Sequence, residues 1–193
     1  MKMPRPSILC FIAVMTLFAT NITHAESFDL ARLMQLLSLA PEAEVAYSEK
    51  KYSNLLTEPI VSSGTLAFSR PDTVEKNTVL PRKERFRIAG EELIVARKGR
   101  EKRYPLSSQP LLAAFAASLR GVLGGNAELL RRHYQLTLTG EEQEWKLQMT
   151  PMETEISRYV ESISVTGHTG HIEQIEVRER SGDRSVLEVL QER

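Results

Sequence analysis

Three histidines follow residue 25, at His133, His168 and His171, and two of them form the H-x-x-H pair of TGHTGH. Two imidazoles three residues apart could hold a metal ion, but such a site wants a third ligand. The stretch reads as a hairpin turn, with no carboxylate near it before Glu173. A solvated turn is therefore expected there, and no metal. Nucleophilic catalysis has no local signature such as G-x-S-x-G, and no glycine-rich loop could cradle a phosphate. The carboxylates alternate with bases on polar strand faces, which is the pattern of a solvated surface. No enzyme is expected, and no cofactor.

Arg70 is the more informative residue. In GTLAFSRPDTVEK, residues 64–76, Leu66, Phe68 and Arg70 share one face at a period of two, and Pro71 follows. An arginine at a sheet rim can pack its stem on Phe68 and send its head to water. Alternatively the guanidinium enters a cavity and bonds to carbonyls of an element that covers it, since a buried guanidinium needs its donors satisfied. Pro71 suits both, because it cannot donate a ladder hydrogen bond and so ends or bends an edge.

The elements that would position these residues are legible from periodicity. Leu30, Leu33, Met34 and Leu37 fall at helical spacing, with Ser27 or Asp29 as N-cap and Pro41 as a stop. Strands then alternate at Val45 and Tyr47, Leu66 and Phe68, Phe86 and Ile88, Leu93 and Val95, divided by turns at Gly90 and Gly99. Residues 109–133 break the series. Pro110 suits a helix start, and Leu111, Leu112, Phe115, Ala116, Leu119, Val122 and Leu123 make that helix apolar nearly all round. A second short helix follows Asn126. Such a helix must be covered, or must itself cover something apolar, and a concave sheet face is a natural partner. Strands resume at Tyr134, Trp145, Tyr159, Ile172 and Ser185, with Pro151 closing one of them. About ten strands is too much sheet to stay flat. The expectation is a mainly β chain with α: an open, incomplete antiparallel β-barrel, an N-terminal helix and a helical insertion over the mouth.

The first 25 residues read as an export leader. Lys2 and Arg5 precede an apolar run at residues 8–19, which is shorter than the ~20 residues that span a bilayer. Ala25 offers a cleavage site, so residues 1–25 are expected to be removed and residues 26–193 to form one domain. Cys10, the only cysteine, falls in the leader, so the exported chain has no thiol, disulfide or thiolate metal site. Lys2 and Arg5 also fall there, leaving 23 basic against 25 acidic residues. That balance, without a basic run interleaved with aromatics, argues against nucleic-acid binding.

The order of elements and several short motifs resemble the LolA/LolB-type lipoprotein carrier family, on its periplasmic LolA side. The motifs are Val45-Ala46-Tyr47-Ser48-Glu49, the run from Gly64 through Leu66, Phe68 and Arg70 to Pro71, and Ala89-Gly90-Glu91-Glu92-Leu93. Tyr134-Gln135-Leu136, the stretch from Trp145 to Pro151, and a closing hairpin at Ile172, Ile175 and Val177 complete the order, over nearly all of residues 26–193. The resemblance implies an open barrel whose helices plug an apolar cavity for acyl chains, with Arg70 bonded to the lid in the closed form. Leu66, Phe68, Arg70, Leu112, Phe115, Leu119, Trp145 and Leu147 are the ligand-contacting residues expected.

The function expected is a monomeric periplasmic carrier that moves a lipoprotein or another acylated or polyene lipid from an inner-membrane donor to an outer-membrane acceptor. A periplasmic sensor of mislocalised lipid that signals to a protein partner is the alternative. The leader makes a first prediction: the intact mass of the protein in a periplasmic fraction should correspond to a chain starting at Glu26. Full-length protein in the membrane pellet would contradict it.

Overall fold

The computed structural model describes residues 28–108 and 110–190. The leader expected at residues 1–25, and Ser27 as a possible cap, lie outside the described residues. Helix α1 (Leu30–Leu39) opens on Asp29, whose Oδ1 accepts the Arg32 N–H at 2.8 Å, and its buried stripe is Leu33, Met34 and Leu37. Strands β1 (Glu44–Tyr52), β2 (Ile60–Ser69), β3 (Thr73–Leu80), β4 (Glu84–Ala89), β5 (Glu92–Arg97) and β6 (Arg100–Pro105) follow as successive antiparallel hairpins. Gly90 and Gly99 take positive φ in two of the turns, as a tight hairpin requires.

Helices α2 (Pro110–Leu123) and α3 (Ala127–Arg131) come next. Then come β7 (Tyr134–Glu141), β8 (Glu144–Pro151), the short α4 (Thr154–Ser157), β9 (Val160–His168), β10 (His171–Glu179) and β11 (Arg184–Leu190). The eleven strands form one sheet in the order β6-β5-β4-β3-β2-β1-β11-β10-β9-β8-β7. It is not closed into a barrel: β6 and β7 are its two edges. The chain leaves one edge and enters the other through α2 and α3. Ala116 and Val122 of α2 and Leu130 of α3 pack on inward strand residues, which puts the helical insertion over the concave face. Among the described residues no helix is long and apolar enough to cross a membrane.

Two strands exceed the sequence reading, β3 and β6. Strand β3 places Lys76 in phase with the buried Val74, so its inner face lacks the apolar alternation that marks a strand. Strand β6 is exposed along its whole length and mostly charged, as suits an unpaired edge.

Apolar packing divides into two clusters. In the larger, Leu33, Met34 and Leu37 of α1, Val122 of α2 and Leu130 of α3 lie on Tyr134, Trp145, Leu147, Met149, Ile163 and Val165 of β7, β8 and β9. In the smaller, Ala116 lies with Ile88, Leu93 and Leu106, with Phe86, Val95, Ala113 and Leu119 packed around them. Between the clusters, β1 carries Tyr47, fully buried, opposite Gly64 of β2, which in turn faces Thr78 of β3. With no side chain at Gly64, the Tyr47 hydroxyl reaches over β2 and meets the Thr78 hydroxyl at 2.7 Å. A Cβ built on Gly64 would stand 1.8 Å from the Asn77 carbonyl oxygen of β3, a clash with backbone that no rotamer relieves. Gly64→Ala should therefore lower stability by ~2 kcal/mol or more. Urea unfolding of the two proteins checks this, and a loss within experimental error of zero would show that β3 moves aside freely.

Candidate functional site

The concave face between the two clusters is not filled. It encloses a cavity of about 700 Å³, within the range of pockets that hold small ligands. Val45, Leu66 and Phe68 of β1 and β2, Phe86 and Ile88 of β4, and Val177 and Leu187 of β10 and β11 supply its walls. Phe115, Leu119 and Leu123, one turn apart along α2, roof it, and Leu37, Ala40 and Pro41 close the α1 side. The sequence-predicted residues Leu66, Phe68, Phe115 and Leu119 thus meet around one space. The side chain of Leu112 lies outside the described residues. Trp145 and Leu147 lie elsewhere, at 1% and 0% exposure in the closed core under α1 and α3. They face the same side of the sheet, but there residues of α1 and α3 pack directly on them. The Trp145 indole N–H is satisfied by the Thr169 carbonyl at 2.9 Å.

Arg70 sits at the rim and is bonded across it. Its Nη2 donates to the Ser38 and Ala40 carbonyls at 2.6 and 2.8 Å, and its backbone N–H donates to Glu42 Oε1 at 2.9 Å. Those carbonyls end α1, where helix C=O groups have no intrahelical partner and the dipole favours a cation. The element held is thus the N-terminal helix and not the insertion. The guanidinium carbon lies 5.7 Å from the centre of the Phe68 ring, on the same strand face. The head itself thus meets both the Phe68 ring and the carbonyls of a covering element.

A second arginine makes the matching tie for the insertion. Arg120, the one charged residue of α2, donates from Nε to the Asp72 carbonyl at 2.7 Å and from Nη2 to the Gly90 carbonyl. The turn joining β2 to β3 is therefore bonded to both covering helices, through Arg70 to α1 and through Asp72 to α2. A lone arginine in PLLAAFAASLRGVL was the available signal, and periodicity treated it as background.

The cavity also contains an ion pair. Glu49 and Lys76 both line it, with Lys76 Nζ 2.5 Å from Glu49 Oε2 and 4.9 Å from the centre of the Tyr47 ring. The hydroxyls of Ser62 and Ser185 donate to Glu49 at 3.1 and 2.7 Å. Burial pushes the Glu49 carboxyl up, but the Lys76 charge and these hydrogen bonds outweigh it, and the pKa ends below the ordinary value. Because the folded value is the depressed one, the stability this adds is present above the ordinary carboxylate range. It is lost as pH falls through the folded value.

His168 and His171 flank the turn from β9 to β10, with rings stacked 5.2 Å apart, and His168 Nδ1 lies 2.9 Å from Glu173 Oε1. Among the described residues no group of three or more His, Cys, Asp or Glu is placed to hold a metal. The turn is not simply solvated. A Cβ on Gly170 would lie 2.8 Å from the Leu36 carbonyl of α1, the Thr169 N–H donates to the Glu142 carbonyl, and His171 lines the cavity.

A family model described as outer membrane lipoprotein carrier protein LolA-like matches residues 22–189. No curated protein matches the sequence. Among solved structures, a LolA superfamily protein from Nitrosomonas europaea is similar at 11% identity and a TM-score of 0.44, over 84% of this chain and 90% of that one. The Mycobacterium tuberculosis lipoprotein LppX is similar at 13% identity and 0.42, over 83% and 92%. The Pseudomonas aeruginosa MucA/MucB complex gives 11% and 0.44, over 84% of this chain and 54% of that one. With a model matched over most of its length and an open eleven-stranded sheet plugged by helices, this chain belongs to the LolA-like family of outer membrane lipoprotein carrier proteins.

Proposed function

We propose that this protein is a periplasmic carrier that takes the acyl chains of a lipoprotein or other lipid-linked cargo into the cavity. It would receive them from an inner-membrane donor and pass them towards the outer membrane. The observation that supports this reading is the apolar cavity of about 700 Å³ under two helices whose rim ties are polar. Each buried CH₂ gains about 0.8 kcal/mol, so a chain of roughly 15 carbons gains ~12 kcal/mol gross. A carrier has to release its load, so part of that gain must be offset. Breaking the Arg70 and Arg120 bonds as the helices give way is a cost of the right kind, since a load shifts the closed–open equilibrium only by its differential affinity.

Two measurements test this. An environment-sensitive fatty acid probe should bind the purified protein saturably and close to one-to-one, and lipid mass spectrometry of protein taken from the periplasm should find an acylated molecule. Absence of saturable binding to any acyl probe would overturn the carrier function. The rim arginine should tune the affinity. Arg70→Leu removes the charged hydrogen bonds to α1, worth roughly 1.5–3 kcal/mol each before exposure is discounted, and should raise probe affinity about tenfold. Arg70→Lys keeps the charge without the planar fork and should fall between. Equal affinities and release rates for the three proteins would leave Arg70 a rim residue without a gating role.

A further inference from the structure

Glu49 and Lys76 have no counterpart in a cavity built only to exclude water. A half-buried ion pair stabilises a fold less than apolar residues of similar volume would, so its presence on the wall of a lipid-sized cavity asks for a reason. The hydrogen bonds supply one. Glu49 Oε1 accepts from Ser185, and Oε2 accepts from Ser62 and Lys76, so the carboxylate is well supplied with donors. Lys76 is different. An ammonium has three N–H donors, and among the described residues this one meets a single acceptor, Glu49. The Tyr47 ring takes one side of the charge, and Lys76 lines the cavity between Leu66 and Phe86, its neighbours on the adjoining strands. The node therefore lacks an acceptor, which a ligand can bring.

Charge decides which acceptor. The pair is already neutral, so a ligand carboxylate would put two negative groups around one ammonium in a poorly solvated site. A carbonyl oxygen adds no charge and completes the Lys76 donors. Taking the carrier function as the starting point, we infer that the Glu49–Lys76 pair is a polar subsite that holds the carbonyl of an ester- or amide-linked acyl chain and discriminates against free fatty acids. The node spans the cavity wall from β3 to β1: Lys76, paired with Leu66, extends past the Tyr47 ring to reach Glu49.

The test uses the purified full protein at pH 8 with two fluorescent probes, cis-parinaric acid and its methyl ester, and reads the ratio of ester to acid affinity. Comparing the ratio among variants cancels the probes' own difference in hydrophobicity. Glu49→Gln leaves the Lys76 charge uncompensated, and the ratio should fall about tenfold in favour of the acid. Lys76→Met should weaken ester binding by about tenfold, and Lys76→Arg should restore it. If Glu49→Gln fails to fold, by circular dichroism and thermal melting, the two Lys76 variants decide the question. An unchanged ratio in folded Glu49→Gln, or full ester affinity in Lys76→Met, overturns the subsite while leaving the carrier function standing. Loss of saturable binding for both probes in the wild type overturns both.

Discussion

An open sheet of eleven strands makes more concave apolar surface than three or four short helices can cover. Everything else about this protein follows from that mismatch. Over β7, β8 and β9 the helices α1 and α3 pack down to a dry core with Trp145 and Leu147 fully buried. Over β1, β2, β4 and β11 the face stays open beneath α2, and a cavity takes the place of a core. Phe115, 39% exposed, is an apolar ring without a full set of partners. In a closed domain that would be a defect. Here it forms part of the cavity roof.

How the helices are held matters as much as what they cover. Their rim contacts are arginine-to-carbonyl bonds: Arg70 reaches the end of α1, and Arg120 of α2 reaches the turns at Asp72 and Gly90. Apolar packing has no direction and weakens gradually with separation, whereas these bonds are directional and few. A helix fixed by a few such bonds has a defined closed position and a defined set of interactions to lose. Both ties meet the short turn between β2 and β3, so movement at one helix is felt at the seat of the other.

The polar node on the cavity wall shows how one glycine organises charges two strands apart. Gly64 leaves a gap on β2 through which the Tyr47 hydroxyl crosses to Thr78, while Lys76 crosses back to Glu49. Ser62 and Ser185 then complete the carboxylate from the strands on either side of β1. None of these seven residues is informative alone. Together they put a neutral, donor-rich spot into an apolar wall.

Local periodicity determined the strands that alternate cleanly, the N-terminal helix with its cap left between Ser27 and Asp29, and the apolar helix at α2. Those are properties of neighbours in the chain, with periods of 2 and 3.6 that need no knowledge of the rest. The number of strands extended that to the open barrel. Strand β3 was hidden because Lys76 occupies an inward position that a period rule assigns to an apolar residue, and β6 because an exposed edge has no apolar face to detect. Which inward residues face a cavity and which face a core was likewise decided only by tertiary structure. Trp145 and Phe68 look alike in sequence, and the difference between them is whether a helix lies close above. The pairing of Glu49 with Lys76 and the reach of Arg120 are contacts between residues 27 to 48 positions apart, and sequence spacing carries no trace of them because strand pairing and the packing of α2, not the chain's local geometry, bring them together.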